Sequence, residues 1–202
     1  KVYPLNNKND NPFTKEDIQA QPTLKEFKFE GKNDFKKICE LEVTPMQIIN
    51  GKRKNEKIQA IHFVGINEED IFNNSLGVAY IITCTIEGQE HIIKFGQTRT
   101  TYKKRLGSYN CGVVFNWRTA STTNIKMLQS MVTTRLPFNL YLYDCNTDED
   151  AIYVLKDWHG ETSVPFASPK SLAVEDIMVK KFIEQFNKKP LANVQTDATQ
   201  VD

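Results

Sequence analysis

Three groups of residues in this 202-residue chain have the types and spacing for work on a phosphate. The first is Glu175. Leu172, Val179, Phe182 and Phe186 recur at helical spacing, and Glu175 falls on the same stripe, three after Leu172 and four before Val179. A carboxylate on an apolar stripe is costly unless it is paired or metal-bound. A structural ion pair or edge exposure accounts for it, and so does a ligand role toward a hard cation such as Mg²⁺, which prefers oxygen donors. The second group is Tyr102, Arg105 and Tyr109, which share one helical face at i, i+3 and i+7. An amphipathic helix with packed rings and a snorkelling Arg gives the same pattern. The third is a field of charge. Residues 91–143 carry 8 basic side chains and no Asp or Glu, where about six or seven acids would be expected at the chain's mean density.

That field includes Lys94, Arg99, Lys103, Lys104, Arg105, Arg118, Lys126 and Arg135, interleaved with Tyr102, Tyr109, Phe115 and Trp117. Clustered cations bind phosphates by releasing counterions, and interleaved aromatics offer stacking surfaces for bases. The formal net charge of the whole chain is only +1, from 26 basic and 25 acidic residues. The total hides a neutral N-terminal 70 and an acidic 144–202, so it does not exclude a nucleic-acid partner. Composition does exclude collagen-like, disulfide-scaffold and broadly disordered classes. No run of 18 apolar residues exists, so no transmembrane span is expected.

These residues need elements to hold them. Gly77–Ile86 reads as a β-branched strand, Glu87-Gly88-Gln89 as a hairpin loop, and residues 91–96 as the returning strand. Thr100–Tyr109 reads as a helix capped by Thr100 or Thr101. A second helix is expected near 123–134, a third strand over Phe138–Asp144, and a last helix from Pro169 at its first position to about Phe186. Lys188-Lys189-Pro190 is expected to stop it. Upstream, Asn33 is expected to cap a short helix bearing Phe35, Ile38 and Leu41, followed by strands at 46–49 and 58–66 and a turn over Asn73–Gly77.

In this order the motifs are recognisable. Gly77-Val-Ala-Tyr80-Ile-Ile, a hairpin, Lys94-Phe-Gly96-Gln97-Thr98, Arg105-Leu106, the helical Glu175 and Pro190-Leu-Ala-Asn193 together resemble the signature of the GIY-YIG nucleases. The resemblance covers residues 76–194. Its fold class would be α/β (α+β): a small central antiparallel sheet, hairpin plus third strand, flanked by helices. An N-terminal extension over 1–70 and a short tail over 195–202 lie outside the nuclease domain at 71–194. Two triplets depart from the pattern. The first reads Val-Ala-Tyr with its Gly one place early, and the second carries Lys94 in place of Tyr. The lysine form resembles the family's restriction-endonuclease branch.

The resemblance implies hydrolysis of a DNA phosphodiester with one Mg²⁺ ion, Mn²⁺ being able to stand in. Glu175 would hold the metal, Arg105 would clamp the phosphate, and Tyr80 would act as general base beside Lys94. Tyr109 would bond the phosphate or the attacking water. Gln97 and Asn193 would support the site. Arg99, Lys103, Lys104, Arg118, Lys126, Lys52 and Arg53 would contact the DNA backbone. A non-catalytic nucleic-acid-binding module and a mobile-element or repair-type nuclease are the alternatives. Residues 1–70 could read DNA, form a homodimer contact, or extend the sheet. A palindromic site would favour a two-fold dimer.

The hairpin offers a geometric condition. Side chains alternate along strands, so Tyr80 and Lys94 share a face only if the loop has three residues or a bulge shifts the register. The cysteines, Cys39, Cys84, Cys111 and Cys145, have no metal-type pairing. Reduced buried thiols, a polar N-terminus without a secretory signal, and the resemblance itself fit a cytoplasmic protein of bacterial or phage-derived origin.

Overall fold

The structure, a computed structural model, describes residues 12–47, 54–55, 57–105, 127, 130–145, 158–160 and 169–193. Five antiparallel strands make one sheet in the order β2-β1-β5-β3-β4: β1 Lys36–Gln47, β2 Lys57–Val64, β3 Val78–Ile86, β4 Gln89–Thr98 and β5 Phe138–Asp144. The helices are α1 Lys15–Gln19, α2 Glu69–Asn74, α3 described over 102–105, α4 described over 130–134, and α5 Lys170–Phe186.

The expected hairpin and third strand lie side by side as β5-β3-β4, with β5 central in the sheet and β3 pairing both β4 and β5. The N-terminal strands continue that sheet, because β1 pairs β5 from Lys36↔Leu142 to Leu41↔Phe138. Of the roles open to this region, sheet extension is the one the backbone shows.

Two faces carry two cores. On one, Tyr80, Ile82, Cys84, Ile38, Leu41 and Ile93 pack with Phe72 of α2, Tyr102 of α3 and Met131 of α4. On the other, Ala79, Ile81, Phe95 and Phe27 pack with Val174, Ile177, Met178 and Phe182 of α5. α5 is capped by Asn187, whose φ of 54° puts it in the left-handed region, and its N–H donates to the Ile183 carbonyl at 2.8 Å.

Four expectations need correction. The Asn33-capped helix is a single 3₁₀ turn, Glu30–Asp34, followed by strand β1. A register shift between Lys37 and Cys39 places Ile38 and Cys39 in the same core, so the strand shows a spacing of three that mimics a helix. β1 therefore also starts ten residues before the expected 46–49 strand. Asn73 and Asn74 belong to α2, and the break before β3 is Ser75–Gly77. Finally, Pro169 is the N-cap of α5 rather than its first helical residue, and Asn187, not the Lys-Lys-Pro run, stops the helix.

β4 is an edge strand, yet its edge is covered. Ile92 N–H donates to the Pro22 carbonyl at 2.9 Å and Leu24 N–H to the Glu90 carbonyl at 2.8 Å. Farther along, Ala192 N–H donates to the Ile93 carbonyl at 2.9 Å. An uncovered edge invites pairing with another chain; here two segments distant in sequence close it.

Candidate active site

The β3–β4 turn has two residues, not three. Glu87 and Gly88 both have positive φ, 52° and 76°, and Ile86 pairs with Gln89, the pattern of a primed hairpin turn. Continued without interruption, this register would put Tyr80 and Lys94 on opposite faces. A bulge prevents that. The pairing shifts between Ile82 and Thr83, leaving Ile93 as the extra residue, so that Ile82 faces Lys94 and Tyr80 faces Gly96. Ile93 buries itself in the Tyr80 core, which explains why the shift is stable.

Tyr80 leans across from β3 to β4. Its phenol end lies directly over Gly96, where any Cβ would collide with ring and hydroxyl. Glycine is required there by close approach of the ring. The Tyr80 side chain is buried and meets Tyr102 edge-on, with centroids 5.3 Å apart at 75°. Tyr102 in turn packs on Phe63 and Phe72. Three aromatic contacts thus anchor α3 to the Tyr80 face.

The link from β4 into α3 is built from threonines. Thr98 accepts from the Thr100 N–H at 3.2 Å, and Thr101 caps the helix, accepting from the Lys104 N–H at 3.3 Å. Arg105, three residues after Tyr102, is half-buried and lies on the side of α3 that Tyr102 turns to the sheet. Arg99, Lys103 and Lys104 are exposed around the same turn. Lys94 is half-buried and makes no hydrogen bond or ion pair among the described residues.

Glu175 sits on the other layer. The core side of α5 is Val174, Ile177, Met178, Val179 and Phe182. Of the expected stripe Val179 and Phe182 are buried in the core and Leu172, Glu175 and Phe186 are half-buried, and Asp176 is the more buried carboxylate. Asp176 pairs with Lys180 at 3.1 Å. α5 is tied to the C-terminal end of β4, where Ser171 donates to Gln97 Oε1 at 3.0 Å, one helical turn before Glu175.

Asn193 braces β4 at the site. Its Oδ1 accepts from the Phe95 N–H at 3.0 Å and its Nδ2 donates to the Phe95 carbonyl at 2.9 Å. Both ends of the carboxamide are occupied by the residue between Lys94 and Gly96. Tyr109, Arg118, Lys126, Lys52 and Arg53 lie outside the described residues. The sequence missed Ser171 and the manner of the Asn193 bond; neither has a periodic signal, because each depends on a partner more than 70 residues away.

No family model matches the chain, and no curated protein sequence does. A solved structure, the restriction endonuclease HPY188I in complex with product DNA, is similar over 96% of this chain and 99% of that one, at 27% identity and a TM-score of 0.50. The chain has a restriction-endonuclease-like fold. Its five-stranded sheet and flanking helices carry that likeness across β1 and β2 as well as the hairpin. Among the described residues no helix is long and apolar enough to cross a membrane.

Proposed function

We propose that this protein is a divalent-metal-dependent DNA endonuclease of restriction type, built on the GIY-YIG plan with lysine in the second motif. One observation carries the reading: a bulge and a glycine put Tyr80 and Lys94 on one face of the hairpin, under the helix that carries Arg105, in a chain similar over 96% of its length to a restriction endonuclease solved with product DNA.

Mg²⁺ fits the donors at hand. It needs few protein ligands because it keeps waters and binds substrate phosphate oxygens, and a single half-buried carboxylate, Glu175, is consistent with that. Among the described residues no group of three or more acidic, His or Cys side chains forms a closed metal cage. Bound there, the ion would neutralise phosphate charge and ease departure of the leaving oxygen.

The remaining tasks belong to the chain. Arg105 presents a planar fork of donors to the phosphate oxygens. Lys94, which meets no carboxylate among the described residues, sets a positive field at the Tyr80 hydroxyl. In its phenolate form that oxygen takes the proton from the attacking water and becomes the neutral phenol. Tyr109 bonds phosphate or water. Asn193 holds the backbone on either side of Phe95, which keeps Lys94 and the Gly96 seat in line. Arg99, Lys103 and Lys104, with Arg118, Lys126, Lys52 and Arg53, meet the duplex backbone, a second copy of the chain completing a two-fold site.

Plasmid DNA incubated with the pure protein and Mg²⁺ tests this. Discrete fragments are expected. Nicks or smears would point to a loosely selective mobile-element or repair-type nuclease. Salt-sensitive DNA binding with no cleavage under any divalent ion would identify a non-catalytic module.

A further inference from the structure

Ser171 has no place in the motifs, yet it is completely buried. A buried hydroxyl is stable only with a hydrogen-bond partner. Its partner here is the Gln97 carboxamide on the last turn-ward residues of β4, at 3.0 Å. Gln97 belongs to the strand that carries Lys94 and Gly96, and Ser171 belongs to the helix that carries Glu175. This is a side-chain bond between α5 and the strand that carries Lys94. The hydroxyl donates to Oε1, so one polar atom of the Gln97 carboxamide is held at the first turn of α5. Packing alone does not hold this point as tightly. The apolar contacts of α5 begin at Ala173 and Val174, and an interface of smooth aliphatic surfaces resists sliding less than a directional bond does.

We infer that Ser171 is a positioning residue for the reaction, acting through Gln97. It pins the first turn of α5 to the end of β4, fixing where Glu175 stands relative to Lys94. The inference rests on the nuclease reading, so its test has one arm that does not.

In the full chain, the Gln97 side-chain amide is followed by NMR in the wild type and in Ser171→Ala. The wild-type amide is expected to be ordered and dispersed, and the variant amide to move toward free-glutamine shifts while the rest of the spectrum keeps its dispersion. Cleavage kinetics are then measured for Ser171→Ala, Gln97→Ala and the double variant. A roughly 10- to 100-fold loss in the single-turnover rate is expected, the size typical of outer-shell partners, with KM for DNA little changed. Because the two act in series, the double variant should be no slower than Gln97→Ala. An unchanged Gln97 amide in Ser171→Ala, or losses that multiply in the double variant, would overturn the inference. If the wild type cuts no DNA while the amide responds as expected, the contact stands and the nuclease reading fails.

Discussion

The phenol end of Tyr80 rests on Gly96, so one glycine on β4 decides where a tyrosine of β3 can place its hydroxyl. Gly96→Ala adds a methyl into that ring. Overpacking of this kind costs about 1–3 kcal/mol, and displacing a reactive group by an ångström can cost about 100-fold in rate. A melting curve and a single-turnover assay should show a modestly destabilised, folded protein with cleavage reduced by about that factor. Full activity would mean that the Tyr80 position does not matter.

Lys94 behaves differently, because it has no partner to lose among the described residues. Lys94→Met keeps most of the aliphatic stem and should change stability by less than about 0.5 kcal/mol. Cleavage should fall by roughly 100-fold or more, as for loss of one preorganised electrostatic group. Unfolding in urea alongside cleavage separates the two effects.

Asn193 supplies a strand's worth of hydrogen bonding with one side chain. Asn193→Ala leaves the Phe95 N–H and carbonyl without it, which should cost about 1–3 kcal/mol. Amide hydrogen exchange at Phe95 should accelerate, while Ile92, tied to Pro22, should keep its protection. Unchanged exchange at Phe95 would refute the brace.

Cys39, Cys84 and Cys145 are buried and reduced, and burial pushes each thiol up to about 12. A thiol in the unfolded chain titrates near about 8.5. The stability they contribute is complete below that value and is lost as pH rises toward the folded one. The urea midpoint should therefore decline above pH ~8.5, and less steeply in Cys84→Ala. At pH 8 all three should resist alkylation in the native protein, as read by mass spectrometry.

Much of this was legible in the chain because the signals are local. β5 falls on Phe138–Asp144 as its alternation indicates, α5 ends at Phe186, and the Gly88 turn sits between two β-branched runs. What local pattern could not give was register. Ile38 in β1 reads as helical only because its bulge breaks the alternation, and the Ile93 bulge in β4 reorients Lys94 without leaving any mark in composition. The placement of Glu175 on the layer opposite Tyr80 likewise depends on which side of the sheet α5 covers, a choice made by Phe27, Phe95 and Ile81 together.

The role of Glu175 gives the sharpest test. Wild type and Glu175→Ala are compared on plasmid DNA with Mg²⁺, with DNA binding measured by gel shift in Ca²⁺. The wild type should give discrete fragments that vanish with chelator, and Glu175→Ala should bind with unchanged affinity and cut nothing. Cleavage by Glu175→Ala at the wild-type rate, or wild-type cleavage that persists in chelator, would contradict a metal-dependent nuclease centred on this helix.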